Sequence, residues 1–314
     1  GADKVTGRAR YASDMQLPDQ LYARILRCPH PHARIRQIDT RAAATMPGVH
    51  AVISSADSFE ITFYEEKSPL FATTLRFQGD EVAAVAAESE EIAEDALRLI
   101  QVDYEVLPFV TNLTAAMLPD AVAVHSGSNI LEPKTYERGD WEAGLQAADD
   151  VIDQSYTTQT AVHNALESHG WYVDDRWQIQ EKLKLPEHRV RIIKQHMGGG
   201  FGAKQVLWKP SLLAALLAKK AGRPVQLMLE RQGENLAAGN RNATQQRVRL
   251  GAKRDGTLTA IAVDIHMSIG AYQVGGEGSN VVGTYERLYR RPNVHTQQAQ
   301  VYTHIGPRVA FRAP

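Results

Sequence analysis

The sequence has few of the features that mark disulfide scaffolds, membrane proteins and nucleic-acid-binding proteins. Its 314 residues include one cysteine, Cys28, which excludes an internal disulfide and a cysteine cluster for zinc or an iron–sulfur centre. No apolar run reaches the roughly 18 residues of a membrane span. The formal net charge is −1, without a basic run that would attract nucleic acid. We therefore expect a cytoplasmic protein with neither nucleic-acid nor membrane partners.

What is present is a globular composition with mixed secondary-structure patterns. The hydrophobic fraction is 43% and the charged fraction 23%, and the length suffices for two domains. Short apolar patterns predict strands at 21–26, 33–39, 81–89 and 102–108, and a turn that leads into a buried strand within 46–54. Ser89 is typical of a helix cap, and an apolar face of Ala93, Ala96, Leu97 and Ile100 follows it.

A looser stretch at 116–135 predicts a linker, which divides the chain into domains at 1–115 and 136–314. In the second domain we expect a helix near 141–148, a strand at 150–160 and a hairpin at 247–265 with a turn at Asp255. The clearest helix begins at Pro210 or Ser211 and ends at Gly222. This mixed order of elements favours an α+β fold over a doubly wound sheet.

The segment MGGGFGAKQ at 197–205 holds four glycines around one phenylalanine. It fails the P-loop pattern because Lys204 is followed by Gln205, and it matches a dinucleotide fingerprint only if Ala203 replaces the last glycine. A strand-like run at 189–197 precedes it and the leucine-rich helix follows. A glycine loop in that position can offer several backbone N–H groups to an anionic or polarised ligand.

Several segments resemble the large subunit of the xanthine oxidase family of molybdenum hydroxylases. GGGFGAK at 198–204 is similar to the family's GGGFGGK-type loop. PHARI at 31–35, PGV at 47–49 and GDEVAAVAAE at 79–88 resemble its N-terminal segments. The stretch 293–314, which ends in AFRAP, resembles the approach to its arginine loop, so the likeness extends over nearly the whole chain.

The resemblance implies an α/β hammerhead domain followed by a first molybdopterin-binding domain. It also implies hydroxylation of an electron-poor carbon of a purine, N-heterocycle or aldehyde, with oxygen derived from water. The implied cofactor is molybdopterin with molybdenum, in its cytosine dinucleotide form. The implied partners are an FAD-binding medium subunit, a [2Fe–2S] small subunit, the remaining molybdopterin-binding region and a small-molecule substrate.

Motif by motif, the resemblance assigns roles to two short segments. Residues Gly199, Gly200, Phe201 and Gly202 would lie against the pterin and the metal ligands, and Arg312 and Ala313 would touch the cofactor. Phe201 and Arg312 would stand near molybdenum without ligating it. Gln205 and Pro314 would face the substrate, and an amide at 205 replaces the acid of some family members.

Two departures from the family pattern limit this assignment. Between His169 and Leu185 the chain is about twenty residues shorter than the pattern, and neither Gln178 nor Gln180 stands in the context of the family's cofactor-contacting glutamine. The chain also ends at Pro314, before the segment that carries the family's glutamate base, so the catalytic residue is unknown. We expect an N-terminal portion of a longer subunit that is inactive by itself. The alternative is a non-catalytic binding or assembly protein derived from the same fold.

Other polar residues have two interpretations each. His30, His32, His163 and His169 lack the spacing of a metal site, and we expect structural or surface roles for them. Glu167 could orient elements near the cofactor or form an ordinary ion pair. Arg308 could hold phosphate or pterin oxygens or lie at the surface.

Overall fold

A computed structural model describes residues 1–57, 59–169, 176–274 and 281–311 of the chain. The helices in these ranges are α1 (Ala2–Val5), α2 (Arg41–Ala44), α3 (Glu90–Leu99), α4 (Leu113–Ala116), α5 (Trp141–Gln146), α6 (Arg176–Leu183), α7 (Lys209–Ala221), α8 (Arg231–Ala237) and α9 (Val282–Arg287). The strands are β1 (Leu21–Arg27), β2 (Ala33–Asp39), β3 (Val49–Ser54), β4 (Thr62–Phe63), β5 (Ser68–Pro69), β6 (Thr74–Leu75), β7 (Glu81–Ala87), β8 (Gln101–Val106), β9 (Lys134–Arg138), β10 (Asp150–Thr158), β11 (Val225–Gln226), β12 (Thr244–Ala252), β13 (Leu258–Gly270) and β14 (Asn293–Tyr302). Single 3₁₀ turns lie at Ala12–Asp14, Glu187–Arg189 and Ala203–Gln205.

Strand β7 is the centre of the N-terminal part. It pairs antiparallel with β1 and β3, and β11 extends the sheet beyond β1. Ala84 and Ala86 pack on the leucines of α7, whereas Ala83 and Val85 pack with Ala93 of α3. The two-residue period of a strand produces this division, and the small alanines allow a helix to lie close on each face. A second sheet in the order β6-β2-β8 lies beside it.

The patterns predicted these elements well. The strands expected at 21–26, 33–39, 46–54, 81–89 and 102–108 are confirmed as β1, β2, β3, β7 and β8. Ser89 caps α3 as predicted, because its hydroxyl oxygen accepts a bond of 3.3 Å from the backbone N–H of Ile92. Ala93 and Ala96 on the predicted face are fully buried.

The C-terminal part is built on a five-stranded sheet in the order β10-β12-β13-β14-β9. The predicted hairpin is confirmed by β12 and β13, which pair antiparallel, and β14 lies parallel to β13. The turn depends on Gly256, whose φ is 86°, and on Asp255, which accepts a bond from the N–H of Thr257. The predicted helix and strand near 141–148 and 150–160 are confirmed as α5 and β10. Sheets and helices of this kind confirm the α+β class.

Residues 116–135 are packed against the rest of the chain. The Asn129 amide donates to the carbonyls of Ala116 and Val122, and its oxygen accepts from the N–H of Val124. Val124 is buried in a cluster with Tyr272 of the C-terminal part. The segment therefore lies fixed on the C-terminal part, and the boundaries 1–115 and 136–314 stay predictions.

Helix α7 follows the predicted signals closely. It begins at Lys209, has proline in its first turn, and ends at Gly222 in the left-handed region with φ of 66°. Leu212, Leu213 and Leu217 are fully buried in the core below β7. None of the helices in the described ranges is long and apolar enough to cross a membrane.

One element was predicted wrongly. The run at 189–197 was expected as a strand, but residues 190–202 contain neither strand nor helix. Ile193 within it is 60% exposed. An apolar run becomes a strand only where a neighbouring strand accepts its backbone hydrogen bonds, and no described strand pairs with this segment.

Candidate functional site

The glycine loop at 198–202 has a backbone conformation that ordinary residues rarely adopt. Gly199 and Gly202 have φ of 100° and 108°, and Phe201 between them has φ of 49°. A Cβ on Gly198 would lie 2.4 Å from the Cβ of Glu167, so a side chain is excluded there by packing. Glycine is therefore required by the backbone conformation at Gly199 and Gly202 and by packing against Glu167 at Gly198.

The loop leaves its backbone donors unused. The N–H groups of Gly199, Gly200, Phe201 and Gly202 donate to no acceptor within the described residues. The loop is also open on one side, because the ring of Phe201 is 49% exposed. Four consecutive donors beside an open surface form an arrangement that accepts an anionic or strongly polarised group.

A buried ion pair fixes the start of the loop. The Lys204 ammonium donates to the carboxylate of Glu167 at 3.2 Å and to its backbone carbonyl at 2.9 Å. The same carboxylate accepts bonds from the N–H groups of Gly198 at 2.7 Å and Ala12 at 3.0 Å. Burial lowers the pKa of Lys204, although Glu167 acts in the opposite direction. Of the two interpretations of Glu167, the ion pair is present, and it also orients the loop.

The residue after the loop, Ala203, lies in a buried hydrogen-bond network with Trp208 and His169. The carbonyl of Ala203 accepts from the indole N–H of Trp208 at 2.9 Å and lies 3.2 Å from Nε2 of His169. The other ring nitrogen of His169 lies 2.8 Å from the carboxylate of Glu234. Burial alone raises the pKa of Glu234, but the bonds to His169 outweigh burial and hold that pKa below its usual value. His169 thus has the structural role that was expected.

His163 joins the loop region to the end of the chain. Its ring nitrogens lie 3.2 Å from the carbonyl of Gly239 and 2.8 Å from that of Ala310. Its ring packs on Phe311 with a centroid distance of 4.7 Å. His163 therefore fixes the backbone just before the predicted arginine loop, which is again a structural role. No group of three or more His, Cys, Asp or Glu side chains within the described part could hold a metal ion.

The remaining residues that were predicted to belong to the site differ in their positions and burial. Gln205 is exposed at the end of the 3₁₀ turn that follows the loop. Gln178 lies on α6, which has no buried residue. Arg312, Ala313 and Pro314 lie outside the described residues. Arg308 is buried, with 8% of its surface exposed, so the surface interpretation of this residue was wrong.

One buried cluster near α7 was not predicted from the sequence. The Lys209 ammonium lies 3.1 Å from a carboxylate oxygen of Asp80 and 3.5 Å from one of Glu81, and Arg27 lies 3.0 Å from Glu81. Burial by itself lowers the pKa of Lys209, but the two carboxylates outweigh it and hold the pKa above its usual value. In the sequence, these residues stand out only as charged residues next to apolar segments. That pattern does not indicate which of them form ion pairs in the folded protein.

Known protein families and solved structures are similar to this chain in sequence and in fold. Residues 6–108 match the aldehyde oxidase and xanthine dehydrogenase a/b hammerhead domain, and residues 173–314 match the molybdopterin cofactor-binding domain. Quinoline 2-oxidoreductase from Pseudomonas putida 86 superimposes with a TM-score of 0.90 at 29% identity, over 99% of this chain and 44% of that one.

Curated relatives are similar over almost the entire chain. A probable xanthine dehydrogenase subunit of Bacillus subtilis is 34% identical over 99% of this chain, which spans 45% of that relative. The nicotinate dehydrogenase large molybdopterin subunit of Eubacterium barkeri is 31% identical, and this chain covers 78% of it. The chain belongs to the family of molybdopterin-binding subunits that includes the xanthine dehydrogenases and aldehyde oxidoreductases.

Proposed function

We propose that this chain holds a molybdenum–molybdopterin cofactor at the glycine loop and takes part in hydroxylating an electron-poor carbon. The substrate class is an N-heterocycle, a purine or an aldehyde, and the oxygen comes from water. The observation that carries the proposal is that the N–H groups from Gly199 to Gly202 have no acceptor among the described residues and lie beside the half-exposed ring of Phe201. Membership of the family supports the choice of cofactor.

The residues present fit such a group. A metal–dithiolene cofactor offers negatively charged oxygen and sulfur atoms, and backbone donors of a rigid loop stabilise such atoms without reorganising. The Glu167–Lys204 pair and the His169–Glu234 pair support the loop and would keep its backbone rigid when a ligand binds. When bound, the cofactor supplies the two-electron oxidation of the substrate.

The chain's own residues would then bind the cofactor and position the substrate. The Phe201 ring would cover one side of the cofactor and exclude water from it. The Gln205 amide would orient a polar atom of the substrate, and Arg312, Ala313 and Pro314 would complete the pocket. The cytosine dinucleotide form of the cofactor and an FAD subunit and a [2Fe–2S] subunit as electron carriers belong to the same proposal. The catalytic base is assigned to no residue of this chain.

The test is a matched pair of glycine substitutions in the full protein with its partner subunits. Gly199→Ala places a Cβ 3.0 Å from the ring of Phe201 at φ of 100°, and we expect molybdenum and pterin content to fall severalfold. Gly256→Ala imposes similar strain at φ of 86° in the β12–β13 turn, with nothing within 4 Å, and should keep full content. Equal cofactor content in both variants would contradict the loop assignment.

Activity is tested separately on the loaded protein. Oxidation of a purine, an N-heterocycle and an aldehyde is followed with an artificial electron acceptor and ¹⁸O-labelled water. Incorporation of label into one product class supports the hydroxylase. A fully loaded protein that oxidises none of the three would instead favour the non-catalytic alternative.

A further inference from the structure

Among the described residues, one buried cation has neither a hydrogen-bond partner nor an ion-pair partner. In the described ranges, the buried lysines and arginines are Arg24, Lys204, Lys209, Arg291 and Arg308. The first three form ion pairs with carboxylates. Arg291 donates to the carbonyl of Tyr289, and Glu286 is among the charges acting on it. The guanidinium of Arg308 has neither a hydrogen bond nor an ion pair within the same ranges.

The backbone around Arg308 is firmly placed. Its N–H donates to the carbonyl of Ile269 at 3.1 Å, and the N–H of Val309 donates to Asn240 at 3.1 Å. Val309 packs against Trp208 and Ala203 beneath the glycine loop. Only 8% of the Arg308 surface is exposed, and its Nε atom is fully buried without an acceptor. Arg308 is therefore held in this environment by the fold.

An unpaired charge in such a place is costly. Burial lowers the pKa of the Arg308 guanidinium to about 10, and no carboxylate acts against that shift. The side chain still carries its charge near neutral pH. Buried charges in proteins are normally paired, because transfer out of water is unfavourable without a compensating partner. An anion in contact with the guanidinium would offset this cost.

The planar geometry of the Arg308 guanidinium favours an anion that presents two oxygens. A guanidinium presents parallel N–H donors in one plane, which fit two oxygens of a phosphate or carboxylate. No described carboxylate acts on Arg308, so these oxygens would come from a bound ligand or from a part of the protein outside the described residues. Arg308 also lies in the molybdopterin cofactor-binding domain, three residues before Phe311, and molybdopterin carries a phosphate group.

We propose that Arg308 binds a phosphate group through its guanidinium, and that this phosphate belongs either to the bound cofactor or to free phosphate. The cofactor source rests on the proposed function, whereas the free-phosphate source does not. An acidic side chain supplied by another segment of the protein is the competing occupant.

The first arm of the test uses the full protein prepared without cofactor. We expect inorganic phosphate to raise its melting temperature more than chloride of equal ionic strength does. In Arg308→Met this difference should vanish, and the melting temperature without phosphate should equal or exceed that of the wild type, because the unpaired charge is gone.

Arg24→Met is the matched control. Arg24 is also 8% exposed, but it is paired with Glu90 at 2.6 Å. Its removal breaks this ion pair and its packing, so the melting temperature should fall while the phosphate response remains. Arg308→Lys, which keeps the charge but not the planar donors, should retain only part of the phosphate response.

The second arm measures pterin and phosphorus per chain in the protein purified with its cofactor. A cofactor source predicts that both fall by about tenfold or more in Arg308→Met and stay unchanged in Arg24→Met. Loss of pterin and phosphorus in the second arm assigns the phosphate to the cofactor, whereas loss of the phosphate response in the first arm with unchanged pterin and phosphorus assigns it to free phosphate.

An unchanged phosphate response together with unchanged pterin and phosphorus content would overturn the proposal. If Arg308→Met is then destabilised as strongly as Arg24→Met, an acidic side chain is the partner. Failure of the proposed function has a different signature, since it appears as a cofactor content that does not depend on Gly199.

Discussion

The ammonium of Lys209 lies 3.1 Å from the carboxylate of Asp80, and both side chains are completely buried. The two residues belong to the two predicted domains and are separated by 129 positions in the chain. Lys209 also lies over the ring of Tyr64, with its nitrogen 5.0 Å from the ring centre. The pair therefore joins the start of α7 to the start of β7. Because the glycine loop lies just before α7 in the chain, this contact also fixes the position of the loop relative to the N-terminal part.

Replacing Lys209 should destabilise the protein strongly. Lys209→Met removes the ammonium that opposes the buried carboxylates of Asp80 and Glu81, and we expect a loss of about 3–5 kcal/mol in unfolding free energy. Denaturant-induced unfolding measures this loss. Lys220→Met on the same helix removes a half-exposed pair with Asp57 and should cost less than about 1 kcal/mol. Similar losses in the two variants would contradict the prediction.

The Glu167–Lys204 pair should show strong energetic coupling. Glu167→Gln removes the charge that opposes a buried ammonium, and we expect a loss of about 2–3 kcal/mol. Because Lys204→Met removes the other half, the double variant should lose clearly less than the sum of the two single variants. A double-mutant cycle by chemical denaturation measures the difference. The same cycle on the exposed pair of Lys184 and Glu60 should show no coupling, and additive losses at 167 and 204 would contradict a coupled ion pair between Glu167 and Lys204.

Acid should destabilise the protein through His304. Its Nδ1 accepts a bond from the N–H of Val110, and burial, with a smaller contribution from the neighbouring His32, lowers its pKa to about 3. An unfolded histidine takes up a proton near pH 6.5, whereas folded His304 does not. The unfolded state therefore binds more protons between these two values, so the contribution to stability is complete above about pH 6.5 and is lost as the pH falls toward 3.

His304→Asn tests this directly, since an amide oxygen can still accept from Val110 and cannot be protonated in this range. Between pH 6.5 and about pH 5 the wild type should lose about 2 kcal/mol more unfolding free energy than the variant. Urea titrations at several pH values provide the measurement. His188→Asn, at an exposed position, should leave the pH dependence unchanged. An identical pH slope in wild type and His304→Asn would refute the assignment.

Much of the fold could be predicted because the relevant signals are local. Ser89 and Gly222 fix the ends of α3 and α7 through bonds to residues within four positions. Asp255 and Gly256 likewise determine the β12–β13 turn. The run at 189–197 has the same kind of pattern and yet forms no strand, because a strand also needs a partner that no local pattern supplies.

The candidate site divides in the same way. The glycine loop was recognisable because glycine is the residue that tolerates the φ values of Gly199 and Gly202. The groups that hold it, Lys204 against Glu167 and His169 against Glu234, are 37 and 65 positions apart and have no spacing that a sequence pattern could indicate. The burial of Arg308 was likewise invisible in the sequence.

The sequence by itself determined the family, the α+β class, the helix and turn boundaries and the position of the glycine loop. These features depend on residue types at short spacing and on motifs that are contiguous in the sequence. Only the tertiary structure decided that the loop's N–H groups have no acceptor among the described residues, that Lys209 is fully buried against Asp80, and that the Arg308 guanidinium is buried with no carboxylate among those residues. Those facts depend on which distant side chains come together and on what water can reach, and the chain acquires both only when it folds.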